Sequence, residues 1–217
     1  MRKAFTMIEL VFVIVVIGIL AAVIIPNTKT NPVQEAAIQL ASDIRYTQHL
    51  AMVDDKYDAN ETDWEKGRWQ MVFAFTGAAI GFPGTPGASY TIFSDSSTYG
   101  GDASFGEIAK NPQNSDQILT GGHTGNANLT VTDDDFVGTK KLNLGLSYGI
   151  IGISRTGGCN NMFHLTFDSF GRPLTGTHTA GTNTHQLITS DCILTLTDGQ
   201  DVATLTIRPE TGYVSIN

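Results

Sequence analysis

The chain is short of charge. Asp, Glu, Lys and Arg make up 16% of its 217 residues, against about 25% in a typical soluble domain. What charge there is runs acidic, 21 carboxylates to 13 Lys and Arg for a formal net of −8. The overall field therefore does not draw in nucleic acid or anionic lipid. Cysteine is scarce too. Cys159 and Cys192 belong to no CxxC, and no Cys/His cluster has zinc spacing. Two readings of the pair stay open. Outside the cytoplasm a disulfide is natural, and closing a loop of this size would contribute roughly 3–4 kcal/mol. In a reducing compartment they would be two separate buried thiols.

Catalytic signatures are missing. There is no P-loop, no GxSxG and no HExxH, and the glycines of "GLSYGIIGIS" have the wrong spacing for GxGxxG. His49, His123, His164, His178 and His185 are scattered. His178 and His185 flank a Gly/Thr-rich stretch that reads as exposed loop rather than a metal site. No enzyme and no cofactor is expected.

What the sequence does have is one long apolar run, in "MRKAFTMIELVFVIVVIGILAAVIIP". Nothing is charged from Leu10 to Ile25, yet Glu9 sits at its edge. A charge at mid-bilayer costs on the order of 2.5–3.5 kcal/mol, so Glu9 needs an explanation. A secretory signal fits poorly, because Glu9 interrupts it and Pro26 follows closely on Ala21 and Ala22. A single-pass anchor over Phe5–Ile25 would be about 31 Å long as a helix, with Arg2 and Lys3 holding the N-terminus in the cytoplasm.

A third reading accounts for Glu9. "MRKA", then "FTMIEL", Gly18 and Pro26, stand in one register, and the segment resembles the N-terminus of type IV pilins and pseudopilins. The resemblance implies that a prepilin peptidase cuts between Ala4 and Phe5 and that Phe5 is N-methylated. Glu9 is then the fifth mature residue, and in the family that carboxylate pairs with the N-terminal amine of a neighbouring subunit. Gly18 and Pro26 fall at the family's helix-loosening positions. One departure is Ala4, where the family usually has Gly. "LASDIRYTQHLAM", "FDSFGRP" and the terminal "LTIRPETGYV" look like the minor pseudopilin H of type II secretion and related minor type IV pilins.

The expected fold is α+β: a long N-terminal hydrophobic helix packed on an antiparallel β-rich head. Its expected parts are a leader at 1–4, a transmembrane and filament-core helix at 5–30, an amphipathic helix at 31–54 and an extracytoplasmic head at 55–217. Val33, Ala37, Leu40 and Ile44 share one face at helical spacing, with Ser42, Asp43, Arg45, Gln48 and His49 largely elsewhere. "RWQMVFAF" reads as a strand with Trp69, Met71, Phe73 and Phe75 on one side. "SYTIFS", "NLTVT", "KLNLG" and "GIIGIS" also read as strands, and "FHLTFDSFGRPL" reads as a strand with Phe163, Leu165 and Phe167 alternating into a Gly/Pro turn. Residues 95–128 read as long loops. "CILTLTDGQDVATLTIRPETGYVSI" reads as two strands around Asp198-Gly199 and a third from Tyr213.

Three weaker features complete the survey. Asp133, Asp134 and Asp135 are candidate calcium ligands, without EF-hand spacing. "DANET" makes Asn60 a candidate for glycosylation. DNA binding is not expected, because the C-terminal third has only Arg155, Arg172 and Arg208 as bases.

The resemblance implies a non-enzymatic structural subunit of a type IV pilus or type II secretion pseudopilus. It would sit in the bacterial inner membrane by a single pass, with its head in the periplasm or on a surface filament. Implied partners are other pilin or pseudopilin subunits, the prepilin peptidase, the inner-membrane assembly platform, and a secreted substrate or surface. The alternatives are a DNA-uptake minor pilin and an anchored extracytoplasmic binding domain outside any filament.

Overall fold

The computed structural model describes residues 6–24, 31–74, 88–96, 100–101, 103–122, 131, 134–160, 164–176, 178–179, 182–183 and 185–217. The chain divides into two compact units, Met1–Asn31 and Pro32–Asn217.

The first unit holds helix α1, Met7–Ile24. It ends two residues short of Pro26, as expected where a proline ring clashes with the preceding turn. Its eighteen residues span about 27 Å at 1.5 Å each, less than the roughly 30 Å of a hydrocarbon core. Among the described residues no helix is long and apolar enough to cross a membrane. The expected Phe5–Ile25 span, and the single-pass inner-membrane placement drawn from it, are corrected accordingly.

The second unit begins with α2, Pro32–Val53. Proline suits the first helical position, where its missing N–H costs nothing. Val33, Ala37, Leu40 and Ile44 are buried together with Ala36, Ala41 and Ala51, so the helical periodicity identified the packed face. That face also buries Asp43, which the sequence placed largely elsewhere.

The strands that follow are all antiparallel. One sheet has the order β10-β7-β6-β1-β2, formed by Gln186–Leu187, Pro173–Gly176, His164–Phe167, Trp69–Ala74 and Ser89–Ser94. The other has the order β13-β12-β11-β5, formed by Val214–Ile216, Val202–Ile207, Cys192–Thr197 and Gly152–Gly157. Helix α2 packs on β1 and β6 of the first sheet and on β11, β12 and β13 of the second. The main core lies along this helix and includes Leu40, Ile44, Phe73, Tyr90, Leu194 and Leu205.

The β1–β2 pair is covered on both faces. Met71, Phe73, Tyr90 and Ile92 belong to the main core, whereas Phe93 joins Ala103, Ile108 and Ile118 in a second cluster with Val72 against it. This explains why every residue of β2 is buried. It also explains why β1 buries Gln70, whose amide donates to the Lys66 carbonyl at 3.2 Å and whose oxygen meets His164 Nδ1 at 2.6 Å.

Four sequence expectations need correction. The expected α+β architecture, one long apolar helix packed on a head, gives way to a β-dominated fold. Among the described residues its helices are the separate α1 and α2 and the five-residue α3, Leu144–Tyr148, and the helix that packs on the sheets is the amphipathic α2. "KLNLG" is not a strand: Lys140–Leu142 forms a single 3-10 turn leading into α3. Asn143 accepts the Leu146 N–H at 2.9 Å and Gly149 ends α3 at φ +73°, a side-chain cap and a left-handed stop that together favour a helix there. Residues 95–128 are not loops throughout. Ser104 and Glu107 form a capping box on a short turn, and β3 (Lys110–Asn111) pairs with β4 (Asn114–Ile118). A two-residue strand pair, β8 (His178–Thr179) and β9 (Thr182–Asn183), occupies the stretch read as exposed loop. "NLTVT" and Phe75 lie outside the described residues.

Candidate assembly site

Helix α1 is apolar on every side, and each described side chain from Met7 to Leu20 is exposed. Phe12 is 70% exposed and Met7 85%. A helix apolar all round has no preferred face for water and needs partners on all sides.

Its one charge is held by a local device. Thr6 precedes the first helical residue. The Thr6 N–H donates to Glu9 Oε2 at 2.9 Å, and the Thr6 hydroxyl donates to the same oxygen at 2.8 Å. In return the Glu9 N–H meets Thr6 Oγ1 at 3.3 Å. This is a reciprocal capping box, which satisfies two backbone donors that a helix start otherwise leaves open. The Thr6 N–H, then its hydroxyl, hold the Glu9 carboxyl below the usual carboxylate range. The negative charge also lies at the positive end of the helix dipole. The T-x-x-E spacing that marks such a box was present in "TMIE" but is missed when Glu9 is considered only as a partner for another chain.

The other expected assembly residues divide. Ala4, Phe5 and Pro26 lie outside the described residues. Gly18 lies within α1, with nothing within 4 Å of where a Cβ would stand.

The remaining candidates are all in the second unit. Cys159 and Cys192 form a disulfide with Cα atoms 4.9 Å apart. It joins the turn after β5 to the first residue of β11, and both residues are fully buried. Asp134 and Asp135 are exposed in a turn, Asp133 lies outside the described residues, and no group of three metal-ligating side chains occurs among the described residues. Asn60 is exposed in a turn, its N–H donating to Asp58 Oδ1 at 2.9 Å.

The three C-terminal arginines are each engaged within the chain. Arg155 Nε donates to the Asn160 carbonyl at 3.0 Å, Arg172 Nε to Asp168 at 2.7 Å, and Arg208 to Asp191. His185 Nε2 lies 3.4 Å from the Thr166 hydroxyl.

Comparison with protein-family models, with curated proteins and with solved structures gives no match for this chain.

Proposed function

We propose that the chain is a structural subunit, a minor pilin or pseudopilin, of a type IV pilus or type II secretion pseudopilus. It assembles through its N-terminal helix. The observation that carries this reading is α1 itself: exposed apolar side chains all round, with one carboxylate in the first turn. Such a surface is covered when identical or related helices bundle. Glu9 then sets the register, because a charge among apolar helices is tolerated only opposite a counter-charge. Cutting between Ala4 and Phe5 creates that counter-charge, the Phe5 amine of a neighbour. Other subunits, the prepilin peptidase and an assembly platform are the partners this requires, while the β-rich unit meets substrate or surface.

The mature N-terminus tests the reading. Mass spectrometry of the protein isolated from its host is expected to find methylated Phe5 as the first residue. Glu9→Val is expected to leave the level of processed protein unchanged and to reduce its incorporation into filaments. A product beginning near Ala22, or a monomer still carrying Met1–Ala4, would overturn the assignment.

A further inference from the structure

A polar cleft of about 200 Å³ opens between α2 and the turn of the β3–β4 hairpin, lined among others by Gln39, Asp43, Tyr46, Gln113 and Lys141. Asp43 is the one carboxylate in that lining, and it is only 8% exposed. Its hydrogen bonds are one-sided. Oδ2 accepts both from the Tyr90 hydroxyl at 2.6 Å and from Gln39 Nε2 at 3.0 Å. Among the described residues Oδ1 accepts no hydrogen bond and Asp43 takes part in no ion pair.

A carboxylate this deeply placed requires a counter-charge or must take up a proton. Among the described residues no cation pairs with Asp43 and no donor reaches Oδ1. Lys141 lines the cleft but is exposed and makes no ion pair with Asp43. Tyr46 and Gln113 also line it, and their polar ends make no hydrogen bond among the described residues. Asp43 is the one metal-ligating side chain in the lining, and among the described residues no group of three such side chains occurs, so the cleft is not a metal cage.

We propose that this cleft binds a primary ammonium group, from a small amine or a lysine side chain, with Asp43 Oδ1 as its counter-charge. The choice of ammonium over guanidinium follows from the occupancy of Asp43. Guanidinium recognises carboxylate best through two parallel bonds, one to each oxygen. Tyr90 and Gln39 already occupy Oδ2, so only a single-point contact remains. An ammonium presents three donors in any direction about one point, and the lining offers Asp43 Oδ1, the Tyr46 hydroxyl and the Gln113 amide oxygen as acceptors. The described titratable and charged groups around Asp43 are Tyr46 of α2, Tyr90 of β2, Tyr148 of α3 and Lys141, with Glu35 of α2 acting on Tyr148. Lys141 is the one cation among them.

The test is titration of the full-length chain, kept in detergent to shield α1, followed by amide NMR shifts and calorimetry. The probes are cadaverine and the methylamides of Nα-acetyl-lysine, Nα-acetyl-norleucine and Nα-acetyl-arginine. At least one ammonium probe is expected to bind saturably and shift the amides around Asp43. The norleucine derivative is not, and the arginine derivative binds about tenfold or more weakly, reflecting one lost charged hydrogen bond. Cadaverine alone identifies a free amine as the ligand; equal or tighter binding of the lysine derivative identifies a peptide side chain. Asp43→Asn, which keeps an acceptor for Tyr90, abolishes binding, and Lys141→Met leaves it equal or tighter. If Asp43→Asn does not fold, wild-type affinity across pH decides. It must strengthen as pH rises through the titration of Asp43. Norleucine binding as well as lysine, loss of binding in Lys141→Met, affinity independent of pH, or no shift with either ammonium probe overturns the proposal.

Discussion

The Tyr90 hydroxyl donates to Asp43 Oδ2 across 2.6 Å, tying the second strand of the larger sheet to helix α2 inside the core. Burial pushes the Asp43 carboxyl up, and the donors Tyr90 and Gln39 only partly offset that. The folded state therefore holds the Asp43 proton more tightly than the unfolded chain does. Stability from this group is fully present below the ordinary aspartate range and is lost as pH rises through the raised folded value. Asp54 and Asp198 are lowered and act with the opposite sign, but they are common to wild type and variant. The urea midpoint of wild type minus that of Asp43→Asn is expected to fall across that window. A difference that does not change with pH contradicts it.

Tyr90→Phe removes one of two donors to a buried carboxylate. A hydrogen bond to a charged group contributes roughly 1.5–3 kcal/mol, so a loss of that order is expected where Asp43 is ionised and a smaller one where it is protonated. In Asp43→Asn the cost of Tyr90→Phe shrinks as well, because the acceptor is neutral. Chemical denaturation of the double-mutant cycle measures the coupling, and strict additivity of the two variants would rule it out.

The Cys159–Cys192 bond ties β11 to the turn that follows β5. Converting both residues to alanine is expected to cost about 2–4 kcal/mol, and reduction of the wild type to reach a similar value. Paired denaturation curves with and without reductant check this; superimposable curves would mean that the bond adds nothing to stability.

Gln48 on α2 donates through Nε2 to the Gly171 carbonyl at 2.7 Å and to the Thr211 carbonyl at 2.8 Å. One amide thus fastens the β6–β7 turn and the β12–β13 turn to the same helix. Gln48→Leu leaves both carbonyls without that donor and is expected to cost about 1–3 kcal/mol. Gly212→Ala acts on the same contact. Gly212 sits at φ +62°, and an added Cβ would lie 2.5 Å from Gln48 Nε2 and 2.6 Å from the Gly171 carbonyl oxygen. Both variants are expected to raise hydrogen exchange in both turns together. Exchange confined to one turn would separate them.

Thr6→Val removes the hydroxyl of the α1 capping box. The Glu9 carboxyl is expected to titrate higher than in wild type, because a donor that favours its charged form is gone. Carboxyl-carbon NMR of Glu9 across pH reads this directly, and an unmoved titration would show that the hydroxyl does not hold the charge.

Much of the β-rich unit was legible in the residues. In "CILTLT" the period of two sets Cys192, Leu194 and Leu196 on the face opposite Ile193, Thr195 and Thr197, and burial alternates in that way. The turn at Asp198-Gly199 stands where expected, with Asp198 Oδ1 accepting the Gln200 and Asp201 N–H groups at 2.9 and 2.8 Å and Gly199 at φ +95°. "FDSFGRP" turns between β6 and β7, where Asp168 accepts the Arg172 N–H at 2.8 Å and Gly171 adopts φ +79°. Each of these signals is local: a period of two, or a residue whose side chain or missing Cβ permits a particular turn.

The misses share a different cause. "KLNLG" alternates like a strand, but the Asn143 cap and Gly149 stop decide for a helix. Residues 103–118 carry little pattern, because their order comes from covering Phe93 on the outer face of β2 rather than from an apolar stripe of their own. Asp43 reads as a solvent-facing residue until Tyr90, 47 positions away, supplies a donor.

By itself the amino-acid order determined the packed stripe of α2, the inward faces of the C-terminal strands and the turns between them. Side-chain period and backbone preference act within a few residues, so neighbouring letters suffice. Only the tertiary structure decided that both faces of β2 are buried, that Gln48 joins two distant turns, that the two cysteines meet and that Asp43 lies under a cleft with one oxygen bare. Those relationships join residues far apart along the chain, and they exist only once the two sheets have closed on α2.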